Sequence, residues 1–221
     1  MQTQHVSMRR SGTATYATGQ ETAQRILAEA RRLLMEEGHG KLTMRRIAKA
    51  AGMSPGNLSY YYSTRADLLA DLLQHVIDGY IEQLQSVRDQ VSDDAQAQFR
   101  SVLAFVFDDL ATRETTLFFP ELWALANRDD WIAQQMEKMY AQYRAVLVEV
   151  IDLINPSLAA ARKADLALMI CASIEGHTVF VGHGRPHRAR GPQLRDLLID
   201  HFLELVKQSG GSCEVQRTRS P

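Results

Sequence analysis

The sequence predicts an all-α fold: an N-terminal three-helix domain of helix-turn-helix type, followed by a larger helical domain. Three observations predict it. Apolar residues recur at spacings of three and four along most of the 221 residues, and no alternating strand pattern interrupts them. The segment Thr43 to Tyr62, TMRRIAKAAGMSPGNLSYYY, holds two short helical patterns around a glycine turn. The charge is also partitioned. Residues 1–65 carry ten Lys or Arg against four Asp or Glu, and residues 66–221 carry fifteen against twenty-two. A head of +6 on a body of −7 fits a nucleic-acid-binding domain joined to one that does not touch nucleic acid.

Composition sets the frame. Hydrophobic residues make up 45% and charged residues 23%, a globular balance. No apolar stretch approaches the roughly 20 residues of a membrane span. Arg9 and Arg10 precede no apolar run of the secretory kind, so no membrane partner and a cytoplasmic location are expected. Cys171 and Cys213 form neither a disulfide framework nor a metal-ligand pair. His183 and His187 are four apart, but Gly184 and Pro186 between them argue against a helical metal pair, and no metal is expected.

The elements follow in order. Residues 1–18 are polar and read as a flexible tail. Thr18-Gly-Gln-Glu21 can form a capping box, opening a helix to about Glu37 with Ile26, Leu27, Ala30, Leu33 and Leu34 as its buried stripe. Gly38 and Gly40 end it. Thr43 caps the next helix, whose inner side is Ile47, Ala48 and Ala51, and Gly52 ends that one. Ser54 caps a third with Pro55 at its first position, and Leu58 faces inward. Thr64-Arg-Ala-Asp67 is a second capping box, opening a long helix to about Val87. Further helices are expected near 95–112, 115–127 and 130–154. Asn155-Pro156 breaks the pattern. A helix at 157–181, a basic loop from Gly182 to Pro192, a last helix at 191–208 and a polar tail at 210–221 complete the chain. The domains expected are 19–65 and 66–209.

The helix-turn-helix segment carries the candidate chemistry. Small Ala48 and Ala51 let two helices cross closely. Ser54, Pro55, Gly56, Asn57 and Ser59 present short side chains, so the second helix can approach base edges. Asn57 offers both a donor and an acceptor amide, the pairing suited to adenine. Tyr60 and Tyr61 can bring hydroxyls to phosphates, or can belong to the core, where Tyr62 is expected. The helix starts near Thr43, Ser54 and Thr64 offer free amides to phosphate, with Arg45, Arg46 and Arg65 beside them. For Arg46, solvated surface is the alternative.

Together, Thr22 to Leu69 resembles the N-terminal domain of the TetR family of regulators. The likeness rests on Glu37-Gly38, Leu42-Thr43, Ile47-Ala48, Ala51-Gly52, Gly56-Asn57-Leu58, Tyr60-Tyr61-Tyr62 and Leu68-Leu69 in order, about 48 residues. It implies phosphate contacts at Thr43, Tyr61 and Arg65 and base contacts at Arg45, Pro55, Gly56 and Asn57. The sequence departs from the family at Ser59, where tyrosine is common. The likeness further implies a dimer on a palindromic double-stranded operator, formed through the last two long helices, and a small-molecule effector held in the helical domain.

For the dimer, Leu194, Leu197, Leu198, His201, Phe202 and Leu205 form the candidate stripe; packing on its own chain is the alternative. For the effector, the aromatic cluster around Phe118, Phe119, Glu121 and Trp123 faces Met136, Tyr140 and Tyr143 at helical spacing, with Glu175 and His177 as polar additions. Ordinary core is the alternative for each. A helical enzyme built on Glu121, Tyr140 and His177 has no nucleophile–base pair or cofactor fingerprint behind it. No catalytic residue and no cofactor is expected. Repression with release by the effector is the function expected; activation, or regulation without a ligand, is the alternative.

Overall fold

The computed structural model describes residues 13–91 and 94–208. The tail expected over 210–221, Cys213, and residues 1–12 of the tail expected at 1–18 lie outside them. The described residues form α-helices and two short 3-10 turns, with no strand among them. The helices are α1 (Thr13–Glu37), α2 (Met44–Ala50), α3 (Pro55–Tyr61), α4 (Arg65–Asp89), α5 (Ala95–Leu110), α6 (Arg113–Ala126), α7 (Asp130–Ile154), α8 (Ala160–Phe180) and α9 (Gly191–Lys207). The chain divides into two units, one up to Gln74 and one from His75 onward, so the boundary falls inside α4.

In the first unit, α1 buries Ile26, Leu27, Ala30, Leu33 and Leu34, the stripe read from the sequence. Ile47 and Ala48 of α2, Leu58 of α3, and Leu68 and Leu72 of α4 are also buried. Burying a Leu or Ile side chain stabilises by about 1.5–3 kcal/mol, so this small core holds the angle between α2 and α3. Helix α1 begins at Thr13 and runs through Thr18, so the capping box expected at Thr18 does not open it. The later caps do form. Thr43 Oγ1 accepts from Arg46 N, Ser54 Oγ accepts from Asn57 N, and Thr64 and Asp67 exchange bonds of 2.9 and 3.1 Å. Gly52 takes φ 69°, the left-handed conformation that ends α2 and turns the chain into α3.

In the second unit, α5, α7, α8 and α9 enclose a core that includes Phe99, Val106, Leu147, Ile151, Leu166, Ile170, Phe202 and Val206. Helix α8 starts at Ala160, not at Ser157. The intervening turn is tied down: Asn155 Nδ2 donates to the Val206 carbonyl at 2.9 Å, Ser157 Oγ donates to Asn155 Oδ1, and Lys163 donates to Asp152 and the Pro156 carbonyl. At the other end of α8, a Cβ on Gly182 would lie 2.7 Å from the Thr178 carbonyl and 2.8 Å from Thr116 Oγ1. The same Thr116 hydroxyl accepts from His183 N at 2.9 Å, which fixes the start of the basic loop against α6.

Candidate functional site

Helix α3 presents its outer face to solvent: Ser54, Pro55, Gly56, Asn57, Ser59 and Tyr60 are all exposed. Leu58 and Tyr62 anchor the inner face. Tyr62 donates from Oη to Asp71 Oδ2 at 2.6 Å. Burial first, and then that bond, raise its pKa far above that of an ordinary phenol, so Tyr62 is a structural tyrosine. Tyr60 is 82% exposed, and its ring meets Tyr61 edge to face at 5.4 Å. The run Tyr60-Tyr61-Tyr62 therefore splits between solvent and core.

An open groove of about 730 Å³ lies beside α3, lined by Thr22 and Arg25 of α1, Lys49 of α2, Gly52 to Ser54 of the turn, and Asn57, Tyr60 and Tyr61 of α3. Two cations and no carboxylate line it. Thr22, Arg25 and Lys49 escape the sequence reading, because only the packing of α1 on α2 brings Arg25 and Lys49 to one groove. The outward helical position of each, one residue before buried Ile26 and one after buried Ala48, is the signal available beforehand.

The other residues expected at this surface separate by their partners. Arg45 is exposed and forms no ion pair among the described residues. Arg46 is ion-paired with Glu37, so its charge is partly neutralised within the head. Arg65 Nη2 donates to the His39 carbonyl at 3.3 Å while its Nε is buried without a partner. Ser59 Oγ donates back to the Pro55 carbonyl at 3.0 Å, spending its hydroxyl on its own helix. The caps at Thr43 and Ser54 likewise take up one amide each in the first turns of α2 and α3, leaving fewer for an anion than the sequence suggests.

In the second unit a nearly closed cavity of about 10 Å³ lies among Tyr80, Asp109, Leu110, Thr115, Phe119, Met139, Tyr140, Tyr143 and Glu175. Of the residues expected to hold an effector, Phe119, Tyr140, Tyr143 and Glu175 line it. Trp123 stands behind, donating from Nε1 to Tyr140 Oη at 3.0 Å. Phe118 and Met136 are buried but outside the lining, and Glu121 is half-buried outside it. His177 is also outside: its ring packs edge to face on Phe107 at 4.8 Å, and its Nδ1 donates to the Ser173 carbonyl at 2.7 Å. Tyr80, Asp109, Leu110, Thr115 and Met139 complete the wall. Thr115 Oγ1 donates to Asp109 Oδ2 at 2.9 Å. Burial pushes the Glu175 carboxyl up to about 7; a hydrogen bond from Tyr140 holds it down, and Asp109 adds to the rise.

The candidate dimer stripe divides across two sides of α9. Phe202 is 3% exposed and belongs to the core of its own chain, a correction to the expected interface; Leu198 and Leu205 lean on that core. The inward face of α9 is offset from this stripe, with Ile199, Leu203 and Val206 buried beside Phe202. Leu197 is 67% exposed, His201 is exposed and Leu194 half-buried. Leu168, Met169, Val179 and Phe180 of α8 are also exposed, large and apolar. With Ala172 and Gly176 they recur at helical spacing. The sequence reading missed this face because α8 is apolar on both sides.

Among the described residues no helix is long and apolar enough to cross a membrane, and no cluster of ligating side chains could hold a metal.

Comparison with known proteins joins these two units to one family. The model described as bacterial regulatory proteins of the TetR family matches residues 26–72, and the model described as the C-terminal part of BetI-type transcriptional repressors matches residues 95–206. An HTH-type transcriptional regulator in the dhlA 5′ region of Xanthobacter autotrophicus is 29% identical over 167 residues, 71% of this chain and 77% of the relative. The HTH-type regulator AcrR of Shigella flexneri is 25% identical over 145 residues, 65% of this chain and 66% of the relative. A TetR-family regulator of Streptomyces coelicolor superposes with a TM-score of 0.70 over 86% of this chain and 97% of its own, at 16% identity, a likeness of fold.

Proposed function

The chain belongs to the TetR family of DNA-binding transcriptional regulators, and from that premise we propose that it is a homodimeric repressor of a palindromic operator, released by a small-molecule effector. The observation that carries the DNA part is the outer face of α3. Asn57 and Tyr60 stand exposed over a groove whose cations are Arg25 and Lys49. Asn57 is the base reader, through its bidentate amide. Arg45, Pro55 and Gly56 lie beside it on base edges. Thr43, Tyr60, Tyr61, Thr64, Arg25 and Lys49 hold phosphates, positioning the head without reading sequence. Arg46 and Ser59, already engaged within the head, contribute less.

The dimer forms through the exposed apolar face of α8, with Leu197 of α9. A monomer rarely leaves so many large apolar side chains exposed on one helix without a partner. Two-fold symmetry matches a palindromic site, with recognition helices about 34–36 Å apart. The description of the model matched over 95–206 names repressors, which supports that sign of regulation. Release works by population shift. A ligand that prefers a conformation with different head spacing weakens operator binding by its differential affinity, typically about 1–3 kcal/mol per site. Helix α4 is the covalent path from Tyr80 to Arg65. The test is a gel-shift assay on DNA upstream of the chain's own gene, with sequence-scrambled DNA as competitor. Preference for the upstream DNA that weakens with salt supports the proposal; equal affinity for both overturns it. Transcription that falls in the absence of the protein would identify an activator instead.

A further inference from the structure

The small chamber in the second unit has a chemical character that its volume conceals. Its wall includes Tyr80 of α4, Asp109 of α5, Phe119 of α6, Tyr140 and Tyr143 of α7, and Glu175 of α8. The free space of about 10 Å³ suits no more than one water. Two polar atoms at the wall are buried with no hydrogen-bond partner: the hydroxyl of Tyr143, a residue 2% exposed, and Oε2 of Glu175. Leaving a buried carboxylate oxygen and a hydroxyl unmatched is costly, and a fold that keeps both leaves room for a donor from outside.

The nature of that donor follows from the wall. An ionised carboxylate only accepts hydrogen bonds, and a tyrosine oxygen can accept as well. Glu175 brings the unpartnered carboxyl oxygen, Asp109 is already engaged, accepting from Thr115, and no Lys, Arg or His lines the space. Arg144, the cation that acts on nearby Cys171, is itself ion-paired with Glu137. The rest of the wall is Leu110, Thr115, Met139 and four aromatic residues, Tyr80, Phe119, Tyr140 and Tyr143, and aromatic ring faces attract cations. A neutral alcohol would satisfy the hydrogen bonds but not the charge. A quaternary ammonium would answer the charge but has no N–H for Glu175. We propose that this chamber receives a protonated primary or secondary amine carried on an apolar, aromatic body, and that this is the chemistry of the effector.

The proposal rests on the effector reading given above. The ammonium sits between Glu175 Oε2 and Tyr143 Oη, with ring faces around it. The apolar body enters by displacing Met139, whose flexible thioether chain yields more readily than its aromatic neighbours. Burial holds the Glu175 carboxyl at about 7. A cation beside it lowers that value, so amine binding near pH 6.5 releases a proton.

Calorimetric titration of the full chain with phenylalkylamines of one to four methylenes, and with the matching phenylalkyl alcohols, tests this. The best amine should bind at least about tenfold more tightly than its alcohol at pH 8. At pH 6.5 the heat should vary with the ionisation enthalpy of the buffer. Glu175→Gln should lose about tenfold in amine affinity and leave the alcohols unchanged. Tyr143→Phe removes a hydroxyl that has no partner, so it should keep the melting temperature and still lose about threefold in amine affinity. Absence of amine binding overturns the proposal, as do equal affinities for amine and alcohol, or both variants binding as the wild type does. Operator binding measured on the same preparation separates the two readings: DNA binding without amine binding removes the ligand class and leaves the regulator.

Discussion

Asn57 and Tyr62 are five positions apart on one short segment and face opposite ways, one to solvent and one to the core. Tyr62 is buried and donates to Asp71, so Tyr62→Phe should cost about 0.5–1.5 kcal/mol in urea unfolding while leaving DNA affinity per folded molecule unchanged. Asn57 is exposed with its backbone amide already capped by Ser54, which leaves its side chain available for the proposed base contact. Asn57→Ala should weaken specific binding by about 1–3 kcal/mol and spare non-specific binding. Lys49→Ala should weaken all duplexes alike and lower the salt slope by about one phosphate contact. A competition titration at several salt concentrations distinguishes the two variants; equal losses on specific and random DNA from both would refute these roles. The caps at Thr43, Ser54 and Thr64 and the turn at Gly52 were legible in residue order, because such groups act locally. The return of the Ser59 hydroxyl to Pro55, the Arg46–Glu37 pair and the meeting of Arg25 with Lys49 were not, because each depends on packing or on a rotamer.

Among the elements, α2 and α3 were placed by Thr43, Ser54-Pro55 and Gly52, whose chemistry admits few alternatives. Helix α8 was harder. Its start moves to Ala160 because the turn at 155–158 is held by Asn155, which donates to the Val206 carbonyl of α9, and by Lys163, which bridges the Pro156 carbonyl and Asp152 of α7. Its C-terminal end depends on Gly182, whose missing Cβ lets Thr116 and Thr178 approach. Gly182→Ala should destabilise by about 1–3 kcal/mol in denaturant unfolding, with no such cost for Gly176→Ala, where a Cβ meets nothing. Equal effects would contradict the close contact. The exposed face of α8 carries a prediction of its own: Phe180→Glu should shift sedimentation from dimer to monomer, and an unchanged dimer would place the interface elsewhere.

For the molecule as a whole, charge partition and helical periodicity were enough to separate a basic head from an acidic helical body. They could not say which aromatic residues of the body line a space and which fill the core. Phe118 and Phe119 are adjacent and fall on different sides of that division. The cavity also bears on stability. Glu175 has a folded-state pKa of about 7, above the usual value near 4.5, so it binds its proton more tightly folded than unfolded. Its contribution is fully present below about pH 4.5 and is lost as pH rises through about 7. Glu175→Gln should flatten that part of the stability profile, and an unchanged slope between pH 5 and 7 would contradict it. Operator recognition, as proposed, is a property of the whole assembly acting on DNA. Selection of duplexes from a random library by the purified chain tests it most directly. The expected result is enrichment of a two-fold palindrome with half-sites about one helical turn apart, or a multiple of it, and loss of that enrichment for Asn57→Ala. Enrichment of no sequence, or of one without two-fold symmetry, would contradict it.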